Sequence, residues 1–271
     1  MSAAVFGDVV ASNVVGYQNA GVNQGYTLAT PTFYAIGGEA VDIQSIKPVG
    51  DNVPTGSDYL HFLKFQLLDE NSAIQDGKTY YWLDYDYIPE EEWDDPFTVY
   101  GWYTKASPTS ATDGKAVLSI TPGTAVYMQC PNEGVSLCFS GEVGNKEVTI
   151  GINQGYTLFG NPYPTAVALK DMTPIGANVP TGSDYLHFLK FQFLDENSAI
   201  KEGKTYYWLN YDYIPEEEWD DPFTVYGWYT KASPTSATDG KVADAFSMNA
   251  GEGVYMQCPN AGVSINVKGL K

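Results

Sequence analysis

The feature that most constrains this chain is an internal duplication: residues 53–115 recur almost unchanged as residues 179–241. Four positions differ: the first copy has Leu67, Gln75, Asp76 and Asp84 where the second has Phe193, Lys201, Glu202 and Asn210. The copies are too far apart for a solenoid repeat of about 20–50 residues, so each copy should be a whole domain. A domain copied with its surface intact favours a surface that is used twice, by identical neighbours or identical ligands.

The duplication also predicts where the domains begin and end. Gly21-Val-Asn-Gln-Gly-Tyr-Thr-Leu opens the first copy, and Gly151-Ile-Asn-Gln-Gly-Tyr-Thr-Leu opens the second. Chain length allows two domains that are each large enough to bury a core. We therefore expect an N-terminal edge strand in residues 1–17, a first domain in residues 18–143 and a second domain in residues 144–271.

Composition and periodicity indicate an all-β fold. The chain has 21 Tyr, 12 Phe, 27 Gly and 16 Pro, and we find no long stretch with helical apolar spacing. Apolar and polar residues alternate in several short segments, including 79–88 and 97–105, and Gly or Pro turns separate them. This pattern predicts two tandem antiparallel β-sandwich domains, Ig-like or jelly-roll-like.

The sequence around the cysteines predicts a hairpin. Segments 125–130 and 135–140 flank Pro-Asn-Glu-Gly, and that register sets Cys138 opposite Tyr127 rather than Cys130. Three cysteines do not make a disulfide framework. We expect Cys130 and its copy Cys258 to be buried free thiols.

The charge of the chain excludes several partners. The net charge is −19, and the sequence contains no arginine, the usual bidentate reader of phosphate and base edges. Nucleic acid and anionic membrane surfaces are therefore excluded as partners, and no apolar run is long enough to span a bilayer. Met1-Ser-Ala-Ala-Val-Phe-Gly is not a complete signal peptide. Enrichment in Tyr and Gly with few bases nevertheless favours an exported protein, located outside the cell or on its surface.

Three related segments lie at the boundaries of the two domains, at 8–17, 135–143 and 263–271. If the middle segment joins both domains, the outer two are exposed edges, which proteins normally protect. Such edges would pair between subunits by strand addition, or else dock within the same chain. The side chains predicted to carry assembly contacts are Val9, Val10, Val14, Val15, Val135, Leu137, Phe139, Val263, Ile265 and Val267.

An acidic loop, repeated once, is the sharpest local feature. It spans residues 84–97 and 210–223, and its carboxylates are hard oxygen ligands that suit Ca²⁺. The alternatives are a solvated acidic turn or a contact with a lysine-rich neighbouring surface. The possible metal ligands are Asp86, Glu90, Glu91, Glu92, Asp94, Asp95, Asp212, Glu216, Glu217, Glu218, Asp220 and Asp221.

Nothing in the sequence predicts an enzyme. The acidic residues crowd into one loop rather than facing each other across a cleft, and His61 and His187 are single residues on apolar strand faces. The many aromatic residues admit a second reading, in which rings such as Trp93 and Trp219 stack on sugars or make lateral contacts between subunits.

Several sequence motifs, taken together, resemble those of a known family. They are Gly155-Tyr-Thr-Leu-Phe-Gly-Asn-Pro-Tyr-Pro, Gly227-Trp-Tyr, Gly251-Glu-Gly-Val-Tyr-Met and Ser140-Gly-Glu-Val. The chain resembles the tandem β-sandwich repeat proteins exported by Verrucomicrobia-like bacteria, some of which form extracellular tubes or fibres. The first copy departs from the pattern, with Ala29-Thr-Pro-Thr-Phe and Pro122-Gly-Thr-Ala at the corresponding places. The resemblance implies a fold and an assembly, and it carries no catalytic residues.

The sequence therefore predicts a structural subunit that assembles with copies of itself into an extracellular filament, tube or surface layer. The alternative is a secreted carbohydrate-binding or adhesive tandem module. No cofactor is required by either, although Ca²⁺ would suit the acidic loops.

Overall fold

A computed structural model describes residues 15–56, 62–89, 95–144, 146–182, 188–214, 221–242 and 246–269. These residues form twenty β-strands and two short 3-10 helices, Ile43–Ser45 and Leu169–Asp171, with no α-helix among them. Every strand ladder is antiparallel. The all-β prediction is confirmed. In the described part of the chain, no helix is long and apolar enough to cross a membrane.

The first ten strands, here called the first half, form three sheets. The sheet orders are β2-β9-β5-β6-β7, β1-β10-β4 and β3-β8. The strands are β1 Val15–Val22, β2 Gly25–Ala29, β3 Val41–Asp42, β4 Lys47–Val49, β5 Lys64–Leu68, β6 Ile74–Tyr87, β7 Phe97–Tyr103, β8 Ser119–Ile120, β9 Val126–Cys130 and β10 Val135–Glu142.

The last ten strands, the second half, repeat the arrangement. The orders β12-β19-β15-β16-β17, β11-β20-β14 and β13-β18 match those of the first half strand for strand. The strands are β11 Val148–Ile152, β12 Gly155–Gly160, β13 Val167–Ala168, β14 Met172–Ile175, β15 Leu189–Leu194, β16 Ile200–Tyr213, β17 Phe223–Tyr229, β18 Ser247–Met248, β19 Gly253–Cys258 and β20 Val263–Val267.

Each half packs its five-stranded sheet against its three-stranded sheet, as in a sandwich. In the first half, Phe65 and Trp102 from the larger sheet share a core with Leu137 and Phe139 from the smaller one. The Trp102 indole Nε1 also donates to the Ile46 carbonyl just before β4, at 2.7 Å, which links the two sheets. Fully burying one large apolar side chain contributes about 1.5–3 kcal/mol, so these clusters supply most of the stabilisation.

The outer face of the larger sheet is covered by the loop that follows β7. Leu83, Val99 and Tyr103 are buried there, and the Tyr103 hydroxyl donates to the Ala111 carbonyl at 2.7 Å. Lys105 and Asp113 form an ion pair across the same loop at 2.6 Å. The second half repeats these contacts. In β6 and in β16, aromatic side chains therefore pack on both faces of the larger sheet.

The structure corrects the predicted hairpin at 131–134. Strand β9 pairs with β2 and β5, whereas β10 pairs with β1 and β4. The turn therefore crosses from one sheet of the sandwich to the other, and Cys138 lies opposite Asn19 rather than Tyr127. Alternation of apolar and polar residues marks a buried face, but it does not identify the neighbouring strand.

The structure also corrects the interpretation of segments 135–143 and 263–271 as edge strands. Strands β10 and β20 lie in the middle of their three-stranded sheets. Each half has its own first strand, β1 or β11, so β10 does not join the halves. The six side chains concerned are buried in the core of their own half: Val135, Leu137, Phe139, Val263, Ile265 and Val267.

Candidate functional site

The N-terminal assembly segment is only partly described. Val9, Val10 and Val14 lie outside the described residues. Val15 begins β1 and is 60 % exposed, and Tyr17 on the same strand is 77 % exposed. Strand β1 occupies one edge of its sheet, next to β10. Of the predicted edge contacts, this strand is the one that keeps exposed apolar side chains.

The centre of each acidic loop also lies outside the described residues. These positions are Glu90, Glu91, Glu92, Trp93, Asp94, Glu216, Glu217, Glu218, Trp219 and Asp220. Asp86 accepts a hydrogen bond from the Thr98 hydroxyl at 2.7 Å, and Asp212 accepts one from Thr224. Asp95 and Asp221 are exposed. Within the described ranges no three His, Cys, Asp or Glu residues are grouped as metal ligands, so Ca²⁺ binding remains a prediction for the loops.

Apolar residues are exposed beside each acidic loop. Ile88 is 79 % exposed, and Tyr87 stacks on Phe97 with ring centroids 4.7 Å apart. Ile214, Tyr213 and Phe223 repeat this arrangement. We call residues 87–97 and 213–223 the tips of the two halves. Each is an aromatic and aliphatic surface next to a strongly acidic stretch.

The two halves meet through reciprocal contacts between equivalent residues. The Tyr26 amide donates to the Glu196 carbonyl at 2.9 Å, and the Tyr156 amide donates to the Glu70 carbonyl at 2.8 Å. Tyr26 and Tyr156 occupy equivalent places in the duplication, as do Glu70 and Glu196. Such an exchange requires the halves to be related by an approximate two-fold axis, as in an isologous dimer.

A second reciprocal pair lies closer to that axis. The Thr30 amide donates to the Gly251 carbonyl at 3.1 Å, and the Gly160 amide donates to the Gly123 carbonyl at 2.8 Å. The centre of this junction is apolar, and its residues are Leu28, Ala125, Tyr127 and Leu158, packed by Tyr26, Leu68, Leu194 and Tyr255. The junction therefore combines backbone hydrogen bonds with a small buried core.

A cavity of about 150 Å³ lies at the junction and is lined by both halves. The first half contributes Asn23, Tyr26, Thr27, Leu28 and Tyr127, all of which have an identical residue at the equivalent place in the second half. The second half contributes Phe193, Leu194, Asp195, Lys201, Glu252 and Gly253. We call this cavity the junction pocket.

Several residues that line the junction pocket differ between the two copies. Phe193 and Lys201 stand where the first copy has Leu67 and Gln75, which are two of the four differences in the duplicated block. Glu252 and Gly253 stand where the first copy has Thr124 and Ala125. Four of the six second-half lining residues are therefore unlike their counterparts, and the approximate two-fold symmetry is broken at this place.

Ring geometry differs across the axis in the same way. Tyr26 and Tyr127 at the pocket are stacked, with centroids 5.0 Å apart and an interplanar angle of 21°. Their counterparts Tyr156 and Tyr255 meet edge to face, at 5.9 Å and 80°. Identical residue pairs thus adopt different arrangements because their surroundings differ.

Glu252 gives the pocket its chemical character. Burial raises the pKa of its carboxyl group, and the bond from the Asn249 amide to Oε2, at 2.9 Å, and the positive charges of Lys201 and Lys204 oppose that shift. Asp195 is fixed by two backbone amides that donate to its Oδ1, each at 2.9 Å. One lysine and two acidic residues therefore line a space built by both halves.

Sequence reasoning did not find this pocket. The signal was present in the substitutions Leu67 to Phe193 and Gln75 to Lys201, which interrupt an otherwise preserved block. Their significance depended on knowing that both positions line a cavity shared with the other half of the molecule.

No model of a known protein family matches this chain, and neither a curated protein nor a solved structure matches it.

Proposed function

We propose that the chain is a structural subunit that assembles with copies of itself into an extracellular filament, tube or surface layer. In this proposal each half is an Ig-like or jelly-roll-like β-sandwich domain that arose by internal duplication. Strand β1 belongs to the first domain, and the second domain begins after residue 143. The proposal assigns no catalytic role and no obligatory cofactor.

The observation that carries the proposal is the placement of the preserved surfaces. Strand β6 starts after the turn that holds Glu70 against the other half and ends at Tyr87 in the tip. Fourteen residues of extended strand span roughly 45 Å, so each tip lies far from the junction. A subunit with equivalent exposed surfaces directed away from its centre can contact two neighbours in the same way.

The exposed side chains support an interface at the tips. Ile88 and Ile214 are each 79 % exposed, and Tyr87 and Tyr213 are each 38 % exposed. Exposed apolar groups rimmed by polar residues are typical of protein–protein contact sites. The chain's net charge of −19 would oppose contact between acidic tips, and Ca²⁺ bound by carboxylates would offset that repulsion.

The N-terminal segment provides a second contact in this proposal. Strand β1 occupies a sheet edge with Val15 and Tyr17 exposed, and edge strands readily pair with another chain. Segment 1–14 of one subunit would then add to a sheet edge of the next. Combined with the tips, this contact is heterologous and extends the polymer without closing it.

The proposal is tested by electron microscopy of the full chain at neutral pH, with Ca²⁺ and with a chelator. Ordered filaments, tubes or sheets support it, and their loss in chelator would assign the acidic loops to metal-bridged contacts. Uniform single particles in both conditions would overturn it.

Variants at the tips make the test specific. Ile88→Asp combined with Ile214→Asp should abolish assembly, whereas either change alone should leave one functional tip and shorten the polymers. Val117→Asp is the matched control, since Val117 is 95 % exposed and lies away from both tips. Polymers of normal length from the double variant would contradict a role for the tips. Removal of residues 1–14 leaves β1 complete and tests the N-terminal contact separately.

The alternative function is carbohydrate binding or adhesion by exposed aromatic rings. Tyr100 is 46 % exposed and its counterpart Tyr226 is 55 % exposed, so this surface is also duplicated. Stacking of such rings on sugars predicts saturable glycan binding by monomers, with losses on Tyr100→Ala and Tyr226→Ala or on Trp93→Ala and Trp219→Ala.

A further inference from the structure

We propose that the junction pocket is a binding site for a neutral monosaccharide ring, either a free sugar or the terminal residue of a glycan. The site is separate from the tips and from the exposed rings at Tyr100 and Tyr226. Assembly through the tips does not depend on it.

The first argument is that the pocket differs where the rest of the chain is preserved. Between residues 53–115 and 179–241, four positions differ, and two of these, at Phe193 and Lys201, line the pocket. A purely structural junction between duplicated halves would be served equally well by the same residues on both sides of the axis. The Phe193 ring packs against Phe191, Tyr206 and Phe246 in the core of its own half. Lys201 is the change that gives one side of the pocket an ammonium group.

The second argument concerns the hydrogen bonding of Gln75 and of its counterpart Lys201, which differ. The Gln75 amide donates to the Leu68 carbonyl at 2.9 Å, within its own half. Lys201 is an exposed side chain that lines the pocket, and its charge acts on Glu252. Sites at the interface between domains are a common location for small-molecule binding.

The third argument identifies the class of ligand by its charge. Lys201 opposes the entry of a cation, while Asp195 and Glu252 oppose an anion. A neutral molecule avoids both penalties. Its hydroxyl groups can accept from the Lys201 ammonium and donate to the two carboxylates, because a hydroxyl is both donor and acceptor.

The fourth argument concerns shape. The lining is mainly polar, and it includes Tyr26 and Tyr127, which are stacked on each other, whereas the equivalent rings on the other side of the axis meet edge to face. A sugar ring carries hydroxyl groups around most of its rim, which matches a compact cavity lined by charged and amide side chains. The cavity volume of about 150 Å³ admits a small ligand rather than a chain.

The chain itself supplies matched variants for the test. Phe193→Leu with Lys201→Gln installs the residues of the first copy, and should weaken binding at least about tenfold by removing the charged hydrogen-bond donor of Lys201. Leu67→Phe with Gln75→Lys makes the reciprocal change across the axis and should leave binding unchanged. Glu252→Gln tests the carboxylate, and thermal unfolding checks that every variant is folded.

The measurement is isothermal titration calorimetry of the full chain with single neutral hexoses, with their methyl glycosides, and with glycine and acetate as zwitterionic and anionic probes. Saturable binding of at least one hexose, lost in Phe193→Leu with Lys201→Gln, supports the site. Binding that is retained by the methyl glycoside indicates the terminal residue of a glycan, and binding of the free sugar alone indicates a free ligand. Absence of binding by every sugar, preference for glycine or acetate, or undiminished binding in that variant would overturn the proposal.

Discussion

Gly160 lies directly against Thr30 across the junction, so close that a Cβ atom on Gly160 would stand 2.3 Å from the Thr30 Cβ. The two positions are equivalent in the duplication, and each donates its amide to a glycine carbonyl of the opposite half. The approximate two-fold axis therefore passes near this contact. The first copy has Thr at this position and the second copy has Gly. Because Gly160 has no side chain, the two backbones can approach each other here.

Gly160→Ala should destabilise the junction. The added methyl group has no space, because the nearest atoms belong to the rigid, β-branched Thr30 side chain. Overpacking of this kind costs about 1–3 kcal/mol, and should appear as a lower midpoint in urea unfolding. The matched control is Gly21→Ala, whose Cβ would meet no atom within 4 Å. Equal effects from the two substitutions would contradict the close approach.

Two buried tryptophans of the first half should respond differently to replacement by Phe. The Trp102 Nε1 donates to the Ile46 carbonyl at 2.7 Å, whereas Trp82 Nε1 has no hydrogen-bond partner among the described residues. Both changes remove similar volume, but Trp102→Phe also leaves a buried carbonyl unpaired. We expect Trp102→Phe to lower the free energy of unfolding, measured in urea, by about 1–3 kcal/mol more than Trp82→Phe does. The same order should hold for Trp228→Phe and Trp208→Phe.

Acid should weaken the loops that cover the outer sheet faces. Bonds from Lys105 and from the Thr109 amide and hydroxyl lower the pKa of Asp113 from 3.8 to about 2, and Asp239 behaves alike. Because the folded-state pKa is depressed, the ionised carboxylate stabilises the fold above the unfolded-state pKa. That contribution is lost as pH falls from about 4 to about 2.

The difference in Tm between the native chain and Asp113→Asn with Asp239→Asn should thus be constant above about pH 5 and shrink steadily as pH falls from about 4 through about 2. Carboxyl titration by NMR checks the pKa directly. Lys105→Met should move the Asp113 pKa back towards its ordinary value, and a pKa that stays near 2 in this variant would contradict the assigned cause.

The three thiols should differ in reactivity. Burial raises the pKa of the Cys130 and Cys258 thiols, and both side chains are almost completely buried. Cys138 is partly exposed on β10. In native protein, alkylation followed by mass spectrometry should therefore modify Cys138 first, and the other two only with unfolding. Early modification of Cys130 would show that its sheet opens locally.

Much of the fold could be predicted from the residues. Alternation in segments 79–88 and 97–105 indicated strands that correspond to most of β6 and to β7. The buried free thiols of Cys130 and Cys258 were also predicted correctly. These features are local, since a period of two residues and the turn residues around it are written in a short stretch of sequence.

The strand partners could not be predicted in the same way. Val135 was interpreted as part of a strand that joins the two domains and Ile265 as part of an exposed edge, yet each lies in the central strand of a sheet in its own half. A buried apolar stripe is the same whether a strand has one neighbour or two, because neighbours bond through the backbone. The predicted hairpin at 131–134 was wrong for the same reason, since a four-residue turn can close a hairpin or cross between sheets.

The sequence by itself determined that the chain is built of β-strands and that two nearly identical copies share one architecture, because side-chain alternation and repetition are local properties. Tertiary structure alone decided that the copies face each other through Gly160 and Thr30, and that Phe193 and Lys201 line one cavity with Tyr26 of the other half. These contacts join residues more than a hundred positions apart. They depend on how the two sandwiches pack, which no short stretch of sequence encodes.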